Sequence, residues 1–131
     1  MTALLDTHIL VFWLLEPKRL SVVQRQRIGE ATAEDPLLIS TISLWEIATL
    51  CSLGRLQLDL PLRDWLERAA APPLVRQVTI SPAIAAEVLA LPDSFHRDPG
   101  DRILVATARV LGATLLTSDR KIIEADLVPT L

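Results

Sequence analysis

HRDPGDRILVATARVLGATLLTSD, residues 96–119, is the stretch that decides the fold of this chain. It begins with a Pro-Gly turn between two aspartates, and apolar residues then recur at helical spacing until Gly112 ends the helix. The apolar run 113–116 predicts a short buried strand, and Asp119 lies just beyond its end. In an open α/β sheet, chemistry usually takes place in the crevice beyond the carboxyl ends of the strands. We therefore expect Asp119 to face one crevice together with Asp101, which lies at the start of the helix.

Short apolar runs alternate with helical patterns along the remainder of the chain. Strands are predicted near residues 2–5, 37–40, 75–80 and 113–117, with a closing edge strand at 127–131. The alternating segment LQLDL at 56–60 predicts either a short edge strand or an extended linker. Because parallel neighbouring strands need helical crossovers, the pattern predicts an α/β fold with a central, mostly parallel sheet of four to five strands. No repeat or low-complexity tract interrupts it, so we expect residues 1–131 to form a single domain.

The composition is typical of a globular protein. Half of the 131 residues are apolar and 22% are charged, which suffices for a buried core. The single cysteine, Cys51, excludes an internal disulfide, is compatible with a reducing compartment and is expected to be an inert buried thiol. No basic leader opens the chain, and the apolar stretch 9–15 is far shorter than the roughly 20 residues of a membrane span. We expect a soluble, cytoplasmic protein.

The charge balance argues against bulk attraction to nucleic acid. The net charge is −3, from 13 Lys and Arg against 16 Asp and Glu. Local attraction is a separate matter, because basic residues lie beside the acidic positions where a phosphate backbone would approach. The candidates for binding nucleic acid are Arg97, Arg102, Arg120 and Lys121. Each is equally well explained as part of a solvated surface of mixed charge.

Four acidic residues stand out by their positions. Asp6 and Asp119 follow predicted strands, and Asp101 begins a helix. Glu46 lies within LWEIATLCSL, a predicted helix from about residue 44 to 53 that is apolar nearly all round. A carboxylate buried alone in such a helix is costly, so it normally takes up a proton, pairs with a cation or binds a metal.

Each acid also has a structural explanation. Aspartates are frequent helix caps and loop residues, and a salt bridge to Arg55 or Arg102 would account for Glu46. Together the acids favour a site, because converging carboxylates repel one another and raise each other's pKa unless a cation lies among them. Oxygen ligands without a Cys or His cluster favour a hard ion, Mg²⁺ or Mn²⁺.

Such an ion indicates the class of reaction. Mg²⁺ held by a few carboxylates keeps positions open for phosphate oxygens, so hydrolysis of a phosphodiester bond is the natural chemistry. The chain has no GxxxxGK loop for a nucleoside triphosphate and no GxSxG serine for a nucleophilic triad. His8 and His96 are the only histidines. His96 either orders a phosphate or, more simply, is a surface turn residue.

Three separated blocks of this sequence closely resemble PIN-domain proteins, particularly VapC-type toxins of bacterial toxin–antitoxin pairs. The blocks are LLDTHILVFWL at 4–14, ISTISLWEIATLCSLGRLQL at 39–58 and HRDPGDRILVATARVLGATLLTSDRKI at 96–122. The resemblance implies a compact three-layer α/β/α fold and a Mg²⁺- or Mn²⁺-dependent endoribonuclease that acts as a type II toxin. It also implies a homodimer and a cognate VapB-type antitoxin whose C-terminal segment covers the active site.

Carried over residue by residue, the four catalytic, metal-holding acids of the family fall on Asp6, Glu46, Asp101 and Asp119. The resemblance gives supporting roles, in ordering the site or binding a phosphate or water, to Thr7, Asp98, Thr117 and Ser118. One departure is visible: Gly100 lies where these turns often carry a bulky apolar residue, commonly Phe. We expect that loss to loosen the turn that holds Asp101.

The alternative is a binding module that is catalytically weak or inactive and whose role is to bind an antitoxin or RNA. The acidic balance favours it, as does the absence of tyrosine for stacking on unpaired bases. The tryptophans Trp13, Trp45 and Trp65 lie at apolar helical positions, which indicates core or a partner groove. Phe12 and Trp13 are the candidates for contact with an amphipathic antitoxin helix.

Overall fold

Four short parallel strands form the centre of the computed structural model, which describes residues 1–131. The strands are β1 (Ala3–Leu5), β2 (Leu37–Ser40), β3 (Val75–Val78) and β4 (Thr114–Leu116), in the spatial order β3-β2-β1-β4. Leu4 of β1 pairs with Leu38 on one side and with Leu115 on the other. Because helices cover both faces of the sheet, β1 and β2 are buried throughout, which explains their uninterrupted apolar sequences.

Seven α-helices connect and cover these strands. They are α1 (Thr7–Leu15), α2 (Val22–Gly29), α3 (Thr41–Ser52), α4 (Leu62–Ala69), α5 (Pro82–Ala90), α6 (Pro99–Leu111) and α7 (Arg120–Ala125). A 3₁₀ turn at Pro17–Arg19 links α1 to α2. None of the helices is long and apolar enough to cross a bilayer.

The core lies in two layers, one on each face of the sheet. Successive residues of a strand point to opposite faces, so Leu5 packs into the cluster that contains Ile9 of α1, whereas Leu4 packs into the cluster of Leu104 from α6. Each of these side chains is fully buried and contributes about 1.5–3 kcal/mol through the hydrophobic effect. The arrangement is a three-layer α/β/α fold, as predicted.

The element bounds differ from the predicted ones at a few places. β3 ends at Val78 instead of residue 80, and the closing segment makes an isolated bridge between Thr130 and Leu115 in place of a full strand. The segment 56–60 forms no strand. α3 begins at Thr41, earlier than predicted, because the side chain of Ser40 accepts a hydrogen bond from the Ile42 amide and caps the helix.

The strand order reverses between β1 and β4. From β1 the chain adds β2 and β3 on one side and then returns to place β4 on the other side. The loops that leave β1 and β4 therefore diverge and open a crevice at the carboxyl edge of the sheet. Asp6 and Thr117, the first residues after these two strands, lie at this point.

Candidate active site

Asp6 is the most firmly held of the predicted site acids. It follows β1 directly and is only 3% exposed. Its Oδ1 accepts a hydrogen bond of 2.7 Å from the Thr7 amide, and its Oδ2 accepts one of 2.7 Å from the Thr117 hydroxyl. Burial raises the pKa of Asp6, while His8 and the two hydrogen bonds oppose that rise. Both carboxylate oxygens are thus oriented by the surrounding chain.

The Thr117 hydroxyl joins the two strand ends. Besides donating to Asp6, its oxygen accepts a bond of 3.0 Å from the Asp119 amide. Asp119 in turn caps α7, since its Oδ1 accepts from the Lys121 amide at 2.8 Å. One side chain therefore fixes the separation of the β1 and β4 loops.

His8 strengthens the same corner, a role that the sequence analysis did not assign. Its Nε2 accepts a hydrogen bond of 2.9 Å from the Ser118 amide, so in the neutral ring the proton lies on Nδ1. That Nδ1 lies 3.5 Å from Asp6 Oδ2. The signal in the sequence is the spacing: His8 follows Asp6 by two residues in the DTH triplet.

Glu46 reaches the crevice from α3 and is held by Thr7. The Thr7 hydroxyl donates to Glu46 Oε1 at 2.6 Å and is itself bonded to the Ser43 hydroxyl at 2.8 Å. Burial raises the pKa of Glu46, with smaller contributions from the charges of Asp98 and Asp6. No arginine or lysine forms an ion pair with this carboxylate. A salt bridge therefore does not explain its presence.

Asp101 lies in the first turn of α6. The helix is capped by Asp98, whose Oδ1 accepts a bond of 3.0 Å from the Asp101 amide. Burial and, to a smaller extent, the charges of four neighbouring acids together raise the pKa of Asp101 to about 7: Asp6, Asp98, Asp119 and Glu46. The fold therefore brings together the acids that were predicted from separate parts of the sequence.

His96 lies beside Asp101, which corrects its interpretation as a surface turn residue. Its Nε2 is 3.1 Å from Asp101 Oδ2, an ion-pair distance without hydrogen-bond alignment, and the side chain is mostly buried. The ring packs edge-on against Phe95, at 4.7 Å between centroids. This contact brings the ring toward the crevice.

The acids suit a divalent cation in chemistry but are not already arranged around one. The donors are oxygens only, and burial together with mutual repulsion raises the pKa values of Asp6, Glu46 and Asp101, as expected of a site that a cation would neutralise. As the side chains lie, however, no three His, Cys, Asp or Glu groups are placed to hold a metal ion together. Glu46 is turned to Thr7, and Asp119 to the Lys121 amide. These hydrogen bonds orient two of the four acids independently of any cation.

A groove of about 530 Å³ runs from the acids between α1 and α3. Its apolar wall includes Val11, Phe12, Trp45, Leu50, Leu53 and Leu56. Two arginines that the sequence analysis did not select, Arg19 and Arg55, also line it. The Arg19 guanidinium lies 4.2 Å above the centre of the Phe12 ring. Trp45 is 64% exposed here, so it belongs to the groove and not to the core.

The structure changes the interpretation of three further residues. Arg102 is buried, and its guanidinium donates to the backbone carbonyls of Phe95 and His96 at 2.8 and 3.1 Å, so it has no free face for a phosphate. Trp13 packs partly buried against the core and does not line the groove, unlike its neighbour Phe12. Cys51 is half-buried instead of fully buried.

The remaining basic candidates are exposed. Arg97 and Lys121 are open to solvent, and Arg120 is exposed while bonded to Glu124 at 3.2 Å. These three residues have exposed side chains, but nothing in the geometry directs them to a polyanion, so their role in RNA binding stays a prediction.

These features define a class of protein: a three-layer α/β/α domain in which acidic side chains converge where the strand order of a parallel sheet reverses. Residues 3–127 match the PIN domain family, and the chain belongs to that family. The sequence is also 43% identical to Ribonuclease VapC22 of Mycobacterium tuberculosis over 121 residues, which are 92% of this chain and 89% of that protein. The resemblance to VapC-type proteins is thereby confirmed.

Solved structures with low sequence identity confirm the fold. VapBC2 from Rickettsia felis, bound to a promoter DNA fragment, contains a chain that aligns with a TM-score of 0.74 at 15% identity, covering 100% of this chain and 98% of that one. VapBC-1 from nontypeable Haemophilus influenzae aligns with a TM-score of 0.74 at 18% identity, over 100% and 97%. FitAcB from Neisseria gonorrhoeae gives 0.70 at 21% identity, over 99% and 96%.

Proposed function

We propose that this protein is a metal-dependent endoribonuclease and the toxin of a type II toxin–antitoxin pair. The observation that carries the proposal is the convergence of Asp6, Glu46, Asp98 and Asp119 on Asp101, whose pKa is raised to about 7 by burial and by the charges of these four acids. The 43% identity to a protein named as a ribonuclease supports the same reaction. Water and an RNA phosphodiester are then the reactants.

The acids Asp6, Glu46, Asp101 and Asp119 would hold Mg²⁺ or Mn²⁺. When bound, the cation supplies a lowered pKa for water and stabilises charge on the phosphate. The chain's own part is to hold the ligands: Thr117 orients Asp6, Thr7 orients Glu46, and Asp98 caps the helix that carries Asp101. Ser118 presents an exposed hydroxyl at the mouth of the crevice.

The groove beside the acids is the proposed path for RNA. Arg19 and Arg55 place positive charge along it, and exposed Trp45 offers a flat apolar face next to Glu46. Because the chain is acidic overall, attraction has to come from such local groups and not from net charge. Arg97, Arg120 and Lys121 would contact more distant phosphates.

A VapB-type antitoxin is the proposed partner. One of the solved structures that share this fold is a toxin–antitoxin complex from Klebsiella pneumoniae, and others are VapBC structures. An amphipathic antitoxin helix would place its apolar face against Phe12 in the groove and thereby block the acids. We also propose a homodimer acting in the cytoplasm, in line with the VapC-type resemblance.

The test is cleavage of RNA by the purified protein with Mg²⁺ or Mn²⁺. Asp6→Asn and Asp101→Asn should each lower cleavage at least about 100-fold while the circular dichroism spectrum is kept, because removal of groups that merely support metal ligands already costs 10- to 100-fold. Asp59→Asn changes an exposed acid outside the site and should cleave like the parent protein. Undiminished cleavage by either site variant would refute the assignment.

A binding module without catalysis is the second candidate. It is favoured by the absence of a ready-made metal group and by the capping roles of Asp6 and Asp119, which give these acids a structural use. Calorimetric titration of Mn²⁺ separates the two functions. Stoichiometric binding that is lost in Asp101→Asn favours the nuclease, and no binding favours the module.

A further inference from the structure

Gly100 lies directly against the carboxylate of Glu46. A Cβ atom built on Gly100 would be 2.7 Å from Glu46 Cδ and 3.0 Å from Oε1, and it would overlap Oε2. Ordinary van der Waals contact begins at about 3.4 Å. Any side chain at position 100 would therefore displace the Glu46 carboxylate from its present place.

Backbone conformation does not require glycine at this position. The glycines with positive φ are Gly54 and Gly112, whereas Gly100 has ordinary helical geometry in the first turn of α6. Alanine is the better helix former in such a conformation, since it loses less backbone entropy on folding. The space taken by Glu46 is thus the structural feature that distinguishes Gly100 from alanine.

The place of the carboxylate is also fixed from the other side. Glu46 Oε1 accepts the Thr7 hydroxyl at 2.6 Å, so the carboxylate lies between this hydroxyl and the Gly100 backbone. A methyl group on residue 100 would push the Glu46 carboxylate away from α6 and break or strain its hydrogen bond to the Thr7 hydroxyl. Glu46 is a long, only half-buried side chain that lines the groove, so it can move without unfolding the protein.

We propose that Gly100 is a positioning residue. Because it has no side chain, it leaves the space in which the Glu46 carboxylate is held beside Asp101. This proposal rests on the proposed function where it concerns metal binding and cleavage, but the packing claim stands apart from it. The turn that holds Asp101 keeps its Asp98 cap in this chain, so the consequence of glycine is the placement of Glu46.

The test compares Gly100→Ala with Gly29→Ala. Gly29 is a helical glycine at the end of α2, and a Cβ there meets nothing within 4 Å, so Gly29→Ala is a matched control. We expect Gly100→Ala to keep its circular dichroism spectrum, shift the ¹³C resonance of the Glu46 carboxyl carbon, and weaken Mn²⁺ binding and RNA cleavage about tenfold or more. Gly29→Ala should match the parent protein in all three measurements.

The Glu46→Ala background tests whether Gly100→Ala acts through Glu46. With the carboxylate removed, adding Gly100→Ala should change Mn²⁺ affinity by less than about twofold, because sites that interact are not additive. An equal further loss in that background would overturn the proposal, as would a parent-like Glu46 resonance and parent-like affinity in Gly100→Ala.

Two other outcomes are also decisive. If Gly100→Ala fails to fold but Glu46→Ala/Gly100→Ala folds, the clash with Glu46 is confirmed, and if both fail to fold the proposal is wrong. If the parent protein neither binds Mn²⁺ nor cleaves RNA, the proposed function fails, and the ¹³C resonance alone still decides whether Gly100 places Glu46.

Discussion

Asp6 and Asp101 belong to the same acidic crevice, but the protein holds them in different ways. Asp6 is almost fully buried, and each of its oxygens accepts a hydrogen bond that favours the charged form. Asp101 has no such donor, and burial and four neighbouring charges all raise its pKa. The comparison teaches that one half of the site is built by hydrogen bonds, whereas the other is left under repulsion that a cation would relieve.

Removing the Thr117 hydroxyl should have the largest effect on stability and cleavage, because this hydroxyl orients Asp6. In Thr117→Val, the buried Asp6 Oδ2 loses its hydrogen-bond donor, which costs about 1–3 kcal/mol of unfolding free energy. Cleavage should fall about 10- to 100-fold because the acid is no longer oriented. Thr114→Val, a half-buried threonine of β4, is the control. Urea unfolding and RNA cleavage measure both effects, and equal behaviour of the two variants would refute the role of Thr117.

Replacing each acid by its amide should shift stability in opposite directions. Asp6→Asn turns an N–H group toward a hydrogen-bond donor, Thr7 or Thr117, and should cost about 1–3 kcal/mol. Asp101→Asn removes a charge that burial and its neighbours disfavour, so at pH 8 without metal it should stabilise the protein by about 1 kcal/mol. Urea unfolding decides this, and a change of the same sign in both variants would contradict the comparison.

The stability of the metal-free protein should depend on pH through Asp101. Its folded pKa of about 7 lies above the ordinary 3.8, so the folded state retains a proton that the unfolded state has released. The contribution of Asp101 to stability is therefore present at low pH and lost as the pH rises from about 4 to 7. Asp101→Asn should remove this component from the pH profile. Thermal unfolding at several pH values, with both proteins in a chelator, measures it.

Arg55 should have the smallest effect, because it lines the groove beside Glu46 without pairing to the acids. Arg55→Ala should weaken RNA binding a few-fold and lower the salt dependence of log affinity by about one unit. Arg102→Ala tests the contrast, since its loss should reduce stability instead, by removing two hydrogen bonds to backbone. Fluorescence titration of a labelled RNA at several salt concentrations separates the two cases.

The layout of this fold follows from local patterns in the sequence. Buried strands such as β1 and β2 are continuous apolar runs, and the acids that follow strands are brought to one edge once the sheet is known to be parallel. The convergence of Asp6 and Asp119 could therefore be predicted.

Contacts between distant residues could not be read in the same way. Arg102 looks like any basic residue beside an acidic turn, and only the fold shows that carbonyls on the preceding loop take its guanidinium. The contact of Gly100 with Glu46 joins residues on two helices, and no local pattern encodes that distance. Glu46 is recognisable as out of place in an apolar helix, but its partner Thr7 becomes known only when α1 and α3 are packed.

The bond from Thr117 to Asp6 spans 111 positions of the chain. During synthesis Asp6 emerges early, but its donor arrives only when β4 has been made and has docked beside β1. A ribosome-bound fragment that lacks this last strand consequently carries an unfinished crevice. Under the proposed function, the chain would therefore gain its activity only after β4 has joined the sheet.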